Sequence, residues 1–259
     1  MTTETLKETP PPQERYTPGD TQNASDFMAE RSLGSHGAFV LPWLEPGTQV
    51  LDCGCGPGTI TLGLAQCAFP GHVTGIDANS AQIERAQRLS WGLEVMNAKF
   101  QTANVYRLPF RDESFDLVFS HALFEHLSDP AEALRELRRV LRPGGKIALC
   151  SPDWNLFKLE PCPLEIKEAI AAYRRLMLNN NGSDTAGSRL RLWLEQAGFR
   201  LLASDLHYET YESSERIAEY LALQLENAGQ AFHAESLRHW HRNRHARFTQ
   251  AWGSAVAEK

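Results

Sequence analysis

Residues 50–58 run Val-Leu-Asp-Cys-Gly-Cys-Gly-Pro-Gly, and no other stretch limits the possible fold as strongly. Val50 and Leu51 end an apolar run typical of a buried strand. Gly54, Gly56 and Gly58 then make a turn, and residues 59–68 continue with helical spacing of apolar side chains. A strand, a glycine turn and a helix give a backbone that a ligand can approach closely, because glycine has no Cβ and tolerates positive φ. The spacing is not the G-x-G-x-x-G of dinucleotide folds, since the third glycine follows the second by two positions rather than three. Asp52, ahead of the first glycine, would repel a diphosphate and suit a cationic ligand.

The next hundred residues alternate strand and helix, which predicts a parallel sheet with helices on both faces. Strand two covers 72–76 and ends at Asp77. Asn79 or Ser80 caps the helix that carries Ile83, Ala86 and Leu89. Strands three, four and five are expected over 99–103, 116–120 and 146–151. Between the last two, Asp129-Pro130-Ala131-Glu132 is a helix start, with Asp as N-cap and Pro at the first helical position. After 151 the alternation breaks. A helix over 166–178, a second helix capped by Asp184, strand six over 199–206, a largely helical stretch over 210–245 and a seventh strand over 247–257 complete the chain. Residues 1–22, rich in Pro, Thr and Glu, read as a disordered tail. Residues 23–259 then form a single domain with a core at 47–151 and insertions at 152–184 and 207–245.

Composition narrows the setting. The chain has 259 residues, enough for one large domain. Its net charge of −6 offers no general attraction for nucleic acid or an anionic membrane. No apolar run is long enough to span a bilayer, and the N-terminal residues lack the apolar core of a signal peptide. An odd number of cysteines, five, fits a reducing cytoplasm better than a disulfide framework. Cys53-x-Cys55 is either half of a metal site, which would need a second pair nearby, or two small loop residues; the expectation is no metal. The expected location is the cytoplasm, and the chain is expected as a monomer or a homodimer, which composition does not decide between.

The pattern Asp52-x-Gly54-x-Gly56-x-Gly58 resembles motif I of the class I S-adenosyl-L-methionine (SAM) methyltransferases. Residues 103–110, Ala-Asn-Val-Tyr-Arg-Leu-Pro-Phe, resemble their adenine-binding segment, with Asn104 where Asp is usual. Residues 112–151 are similar to the small-molecule type of that family, which includes ubiquinone and menaquinone biosynthesis enzymes. The resemblance covers residues 47–151. It implies an α/β, doubly wound, Rossmann-like sheet of seven mostly parallel strands, with a helical cap formed by the two insertions. It implies SAM as cofactor, S-adenosyl-L-homocysteine as product and a small-molecule methyl acceptor as partner. Asp52 and the Gly54–Gly58 turn would meet the methionine portion, Asp77 the ribose, Ala78 the adenine face, and Asn104 with Val105 the adenine edge. His121 would shape the methionine end, and Arg31 would pair with the SAM carboxylate.

Each assignment has a plainer counterpart. Asp77 could instead be a helix cap, Asn104 a turn former, and Arg31 a surface cation. No catalytic residue is evident; His126 and His207 are the candidates, and His126 could equally be a packed or capping residue. Methyl transfer from a sulfonium is an in-line displacement, so positioning can supply much of the rate. Aromatic residues of the insertions, among them Trp154, Tyr173, Tyr211 and Tyr220, would roof the crevice and suit an apolar or aromatic acceptor, or simply pack on the sheet. His241 and His245 read as a solvated helix face, a metal pair or part of a nucleic-acid contact. A macromolecular methyltransferase and a non-catalytic SAM-binding subunit are the competing functions.

Overall fold

Seven strands assemble into one sheet in the order β3-β2-β1-β4-β5-β7-β6 in the computed structural model, which describes residues 16, 17 and 22–259. The tail expected over 1–22 lies almost wholly outside the described residues. The strands are β1 (Val50–Cys53), β2 (Val73–Asp77), β3 (Ala98–Thr102), β4 (Phe115–His121), β5 (Leu141–Glu160), β6 (Arg200–Thr210) and β7 (Arg247–Glu258). The helices are α1 (Gln22–Ala29), α2 (Thr59–Ala68), α3 (Ser80–Gly92), α4 (Pro130–Val140), α5 (Leu164–Asn179), α6 (Ala186–Gln196), α7 (Ser214–Asn227) and α8 (Ala231–Trp240). Short π and 3-10 turns fill 33–43 between α1 and β1.

The sheet is mixed, which corrects the expectation of a mostly parallel one. Pairings among β3, β2, β1, β4 and β5 are parallel, but β7 runs antiparallel to both β5 and β6. The cause is the connection. A single crossover helix returns the chain to the starting end of a strand, whereas the pair α7–α8, joined by the short turn 228–230, brings it back where β6 finished.

Local signals are met where they were strongest. Asp129 caps α4 by accepting the Glu132 amide at 2.9 Å, and Pro130 is the first helical residue. Asn79 caps α3 by accepting the Ala81 amide at 2.8 Å. Long-range pairing overrides other boundaries. β5 does not stop at Ser151 but continues to Glu160, because β7 pairs with it on both sides of an irregularity between Asp153 and Lys158. β6 likewise runs on to Thr210, so His207 lies on a strand rather than in a helical insertion.

Asp184 does not cap α6. Its carboxylate binds Arg174, whose Nε donates at 2.8 Å. Asp153 of β5 serves instead, its Oδ2 accepting the Ser188 amide at 3.2 Å and the Ser188 hydroxyl.

Apolar contacts divide the interior. Leu134 and Leu137 of α4 and Leu190 and Leu194 of α6 cover one face of the sheet. Leu33, Val40 and the α2 residues Ile60 and Leu64 cover the other. A separate cluster joins Ala24 to α5, α7 and α8, and Trp154, Leu159 and Phe248 tie it to the extended ends of β5 and β7. No described helix is long and apolar enough to cross a membrane.

Candidate active site

The carboxyl ends of β1, β2 and β4 open into one cavity of about 220 Å³. All nine residues expected to bind the cofactor line it: Arg31, Asp52, Gly54 and Gly56, then Asp77 and Ala78, then Asn104, Val105 and His121. His126 lines it too, from the 3-10 turn Phe124–His126 after β4. His207 does not; it stands on the edge strand β6, paired in register with Trp252.

The glycine turn is built for close approach. Gly54 and Gly58 have φ of +73° and +87°, and a Cβ on Gly58 would come within 2.8 Å of Ala86. The Gly54 and Cys55 amides donate to the Ile76 carbonyl at 2.8 and 2.9 Å, locking the turn onto β2. The Gly56 amide donates to Asp77 Oδ2 at 3.0 Å, and the Asn79 amide to Oδ1 at 2.9 Å. Asp77 therefore braces the turn, and Asn79 takes the capping role that Asp77 could have filled. Each carboxylate oxygen keeps acceptor capacity for a hydroxyl.

Asp52 is 2% exposed, and its Oδ2 accepts the Thr61 hydroxyl at 2.6 Å. Burial pushes its carboxyl up to about 7, against the pull of that bond. Among the described residues no cationic side chain pairs with it. A buried carboxylate facing a cavity without a counter-ion fits a ligand that brings its own positive charge.

After β3, Asn104 Oδ1 accepts the Tyr106 amide at 2.9 Å. The turn-forming and cavity-lining descriptions of Asn104 are thus both true of the structure.

Arg31 spans two cavities. It lines the first and also a narrow second one of about 30 Å³, and its guanidinium lies 5.5 Å from the Trp252 ring and 5.8 Å from Phe27. His126 is shared in the same way. The rest of the second cavity is largely aromatic: Trp154, Tyr173, Tyr211, Tyr220 and Trp252, with Glu125 as its one carboxylate.

His121 sits between these regions, 4.8 Å from Trp252 and 5.3 Å from His36 by ring centroids. Burial holds His121 well below the usual imidazole range and takes His126 down to about 3.

Nothing in the local pattern pointed to Gln250, Trp252 or Ser151, which read as ordinary strand residues. Glu125 carried a weak signal, a charge inside the run Leu-Phe-Glu-His-Leu. His241 and His245 share no helix face, because α8 ends at Trp240, and His245 Nε2 accepts from Arg244 at 3.0 Å. Cys53 and Cys55 are buried free thiols, and no metal-ligand cluster occurs among the described residues.

Comparison with known proteins gives a consistent identity. A family model described as a methyltransferase domain matches residues 44–198. An uncharacterized methyltransferase of Schizosaccharomyces pombe is 30% identical over 199 residues, 74% of this chain and 70% of that protein. An O-methyltransferase of Aspergillus sclerotiorum is 34% identical over 183 residues, 70% of this chain and 65% of that protein. The structure of a SAM-dependent methyltransferase from Aquifex aeolicus shares the fold, with a TM-score of 0.60 at 17% identity, covering 92% of this chain and 99% of that one. Joined to a glycine cradle and an uncompensated carboxylate that suit a cationic nucleoside, these matches place the chain in the class I SAM-dependent methyltransferases of the small-molecule type.

Proposed function

We propose that this enzyme methylates a small, apolar or aromatic metabolite by in-line displacement. One observation carries the reading: a cavity suited to a cationic nucleoside adjoins an aromatic one, and Arg31 and His126 line both. SAM, when bound, supplies a methyl group on a positively charged sulfur. Asp52 would hold the ammonium of its methionine portion and the Gly54–Gly58 turn would lie against it, with Arg31 taking the carboxylate. Asp77 would accept the ribose hydroxyls, Ala78 would lie on the adenine face, and Asn104 with Val105 would meet the adenine edge. His121, neutral at physiological pH, would shape the methionine end without adding a repelling charge.

The chain's chief contribution to rate is then alignment, since displacement needs the acceptor behind the methyl carbon. Residues 23–259 act as one domain in this reading. The helices between β5 and β6 and between β6 and β7 form the acceptor's enclosure.

Calorimetric titration with S-adenosylhomocysteine tests the cofactor half. Asp77→Ala should weaken binding by about 1–3 kcal/mol through unpaired ribose hydroxyls, and an unchanged affinity would remove that assignment. Labelled SAM incubated with a metabolite extract should mark small molecules. Label confined to RNA or protein would overturn the acceptor class.

A further inference from the structure

At the rim where the strands begin, opposite the cofactor cavity, four large apolar side chains stand in water. Trp91 and Met96 are each 87% exposed, the highest values for large apolar side chains among the described residues, and Phe69 and Leu93 are 67% and 59% exposed. They come from two neighbouring turns. Phe69 follows α2, and the other three lie between the last turn of α3 and the start of β3. Asn97 ties the turns together, its amide nitrogen donating to the Ala65 carbonyl at 2.7 Å and the Gly71 carbonyl at 2.8 Å. A single exposed apolar residue is ordinary on a water-facing surface, but four at one corner mark a place that something covers.

The backbone holds these side chains outward. The Leu93, Glu94 and Val95 amides donate to the carbonyls of Leu89, Trp91 and Ser90, all at 3.1 Å. The Ser90 hydroxyl donates back to the Val95 carbonyl at 3.0 Å. Glu94 takes a φ of +55° in this reversal, an uncommon conformation for a residue with a Cβ. Val95 packs inward with Ile83 and Phe100, while Leu93 and Met96 on either side of it stay out. A surface fixed in this way spares its partner the cost of ordering it.

Area and charge select the partner. Four side chains of this size offer about 600 Å² when fully covered. A stable dimer needs about 800 Å² on each copy. Charges on the surrounding elements cancel, Glu45, Glu84 and Glu94 against Arg85, Arg88 and Lys99, with Arg88 lying 3.8 Å from Glu84. Neither an acidic nor a basic partner is favoured. A zwitterionic lipid surface requires no net charge and no matching protein contour, and Trp, Phe, Leu and Met side chains settle readily between headgroups and acyl chains.

We infer that the corner formed by Phe69, Trp91, Leu93 and Met96 docks the protein on the surface of a zwitterionic bilayer. The contact is peripheral, since no described helix is long and apolar enough to cross. The cofactor cavity lies at the other ends of β1, β2 and β4, so docking leaves it turned to the aqueous side. The inference is therefore independent of which acceptor is methylated.

Flotation of the full chain with phosphatidylcholine vesicles tests it. Wild type should float at millimolar lipid, and the combined change Trp91→Glu and Met96→Glu should lower the bound fraction at least fivefold. S-adenosylhomocysteine affinity should stay within twofold in that variant. Raising salt from about 0.1 to 0.5 M should alter binding by less than twofold, because no net charge is screened. Phe232→Glu, at an exposed ring on α8, should float as wild type does. Met96→Glu alone should show part of the loss, and it decides the matter if the double variant does not fold. Absence of wild-type flotation, a double variant that floats equally well, or a requirement for phosphatidylserine would overturn the inference. So would a dimer in sedimentation equilibrium that the double variant dissolves, since a second copy would then be what covers the corner.

Discussion

Asp52 is the third residue of a strand whose four residues are all buried, so its carboxylate has little water to solvate it. The Thr61 hydroxyl offsets part of that cost, yet the group still sits near 7 rather than at its ordinary 3.8. A cation arriving at the cavity must therefore draw on a carboxylate that is half protonated at neutral pH. The binding-competent fraction falls tenfold for each unit below 7, and apparent affinity falls with it. SAM should bind about tenfold more weakly at pH 6 than at pH 8, releasing a proton in the acidic range. Asp52→Asn should bind more weakly throughout and lose this dependence. Calorimetry in two buffers of different ionisation enthalpy checks both, and a wild-type affinity flat between pH 6 and 8 would show that Asp52 is not the ammonium partner.

At the scale of elements, the joint between α6 and the β5–β7 pair lies next in the chain to Pro152 and Trp252, which line the second cavity. Gly187 of α6 and Gly253 of β7 pack backbone to backbone, and a Cβ on Gly253 would fall 2.1 Å from the Gly187 carbonyl oxygen. Asp153 secures the same joint by receiving the first turn of α6. Gly253→Ala should cost about 1–3 kcal/mol or more in chemical denaturation, because only backbone could move to make room. Gly92→Ala, at an end of α3 with open space around it, should change stability by no more than about 0.5 kcal/mol. Equal effects would mean that α6 does not seat as closely as it does here. This joint also marks the limit of what the sequence made legible. The glycine turn, the Asn79 and Asp129 caps and the β1–β4 alternation rest on residues within a few positions of one another, so their signals survive in one dimension. The tail of β5, the capping of α6 by Asp153 and the antiparallel β7 depend on partners about 35 to 110 residues away, where no local pattern speaks. The site divides likewise. Most residues of the first cavity sit at strand ends with recognisable spacing, whereas Glu125, Ser151, Gln250 and Trp252 come together only because two strands and a turn converge.

For the whole molecule, the buried titratable groups set how stability varies with pH, and the signs differ by group. Asp52 and Glu125 are raised to about 7 from ordinary values of 3.8 and 4.5. Their contribution is fully present below the unfolded values and is lost as pH rises through 7. His36 and His126 are lowered by burial to about 4 and about 3 from 6.5, and His121 is held well below 6.5. Their contribution is present above 6.5 and is lost as pH falls through those lower values. The two effects oppose one another between about pH 4 and 6.5, where three histidines outweigh two carboxylates and stability rises with pH through most of the range. From about pH 7 upward the carboxylates outweigh what remains of the histidine effect. Two groups half protonated near 7 give a loss on the order of 1 kcal/mol per pH unit, fading by pH 8 as both ionise. The free protein should therefore melt lower at pH 7.5 than at 6.5, and Asp52→Asn combined with Glu125→Gln should flatten that difference. SAM reverses the trend, since a bound cation favours ionised Asp52 and its stabilisation grows with pH. A thermal shift on adding SAM that is no larger at pH 7.5 than at 6.5 would contradict this linkage, because cofactor charge and buried carboxylate would then be uncoupled.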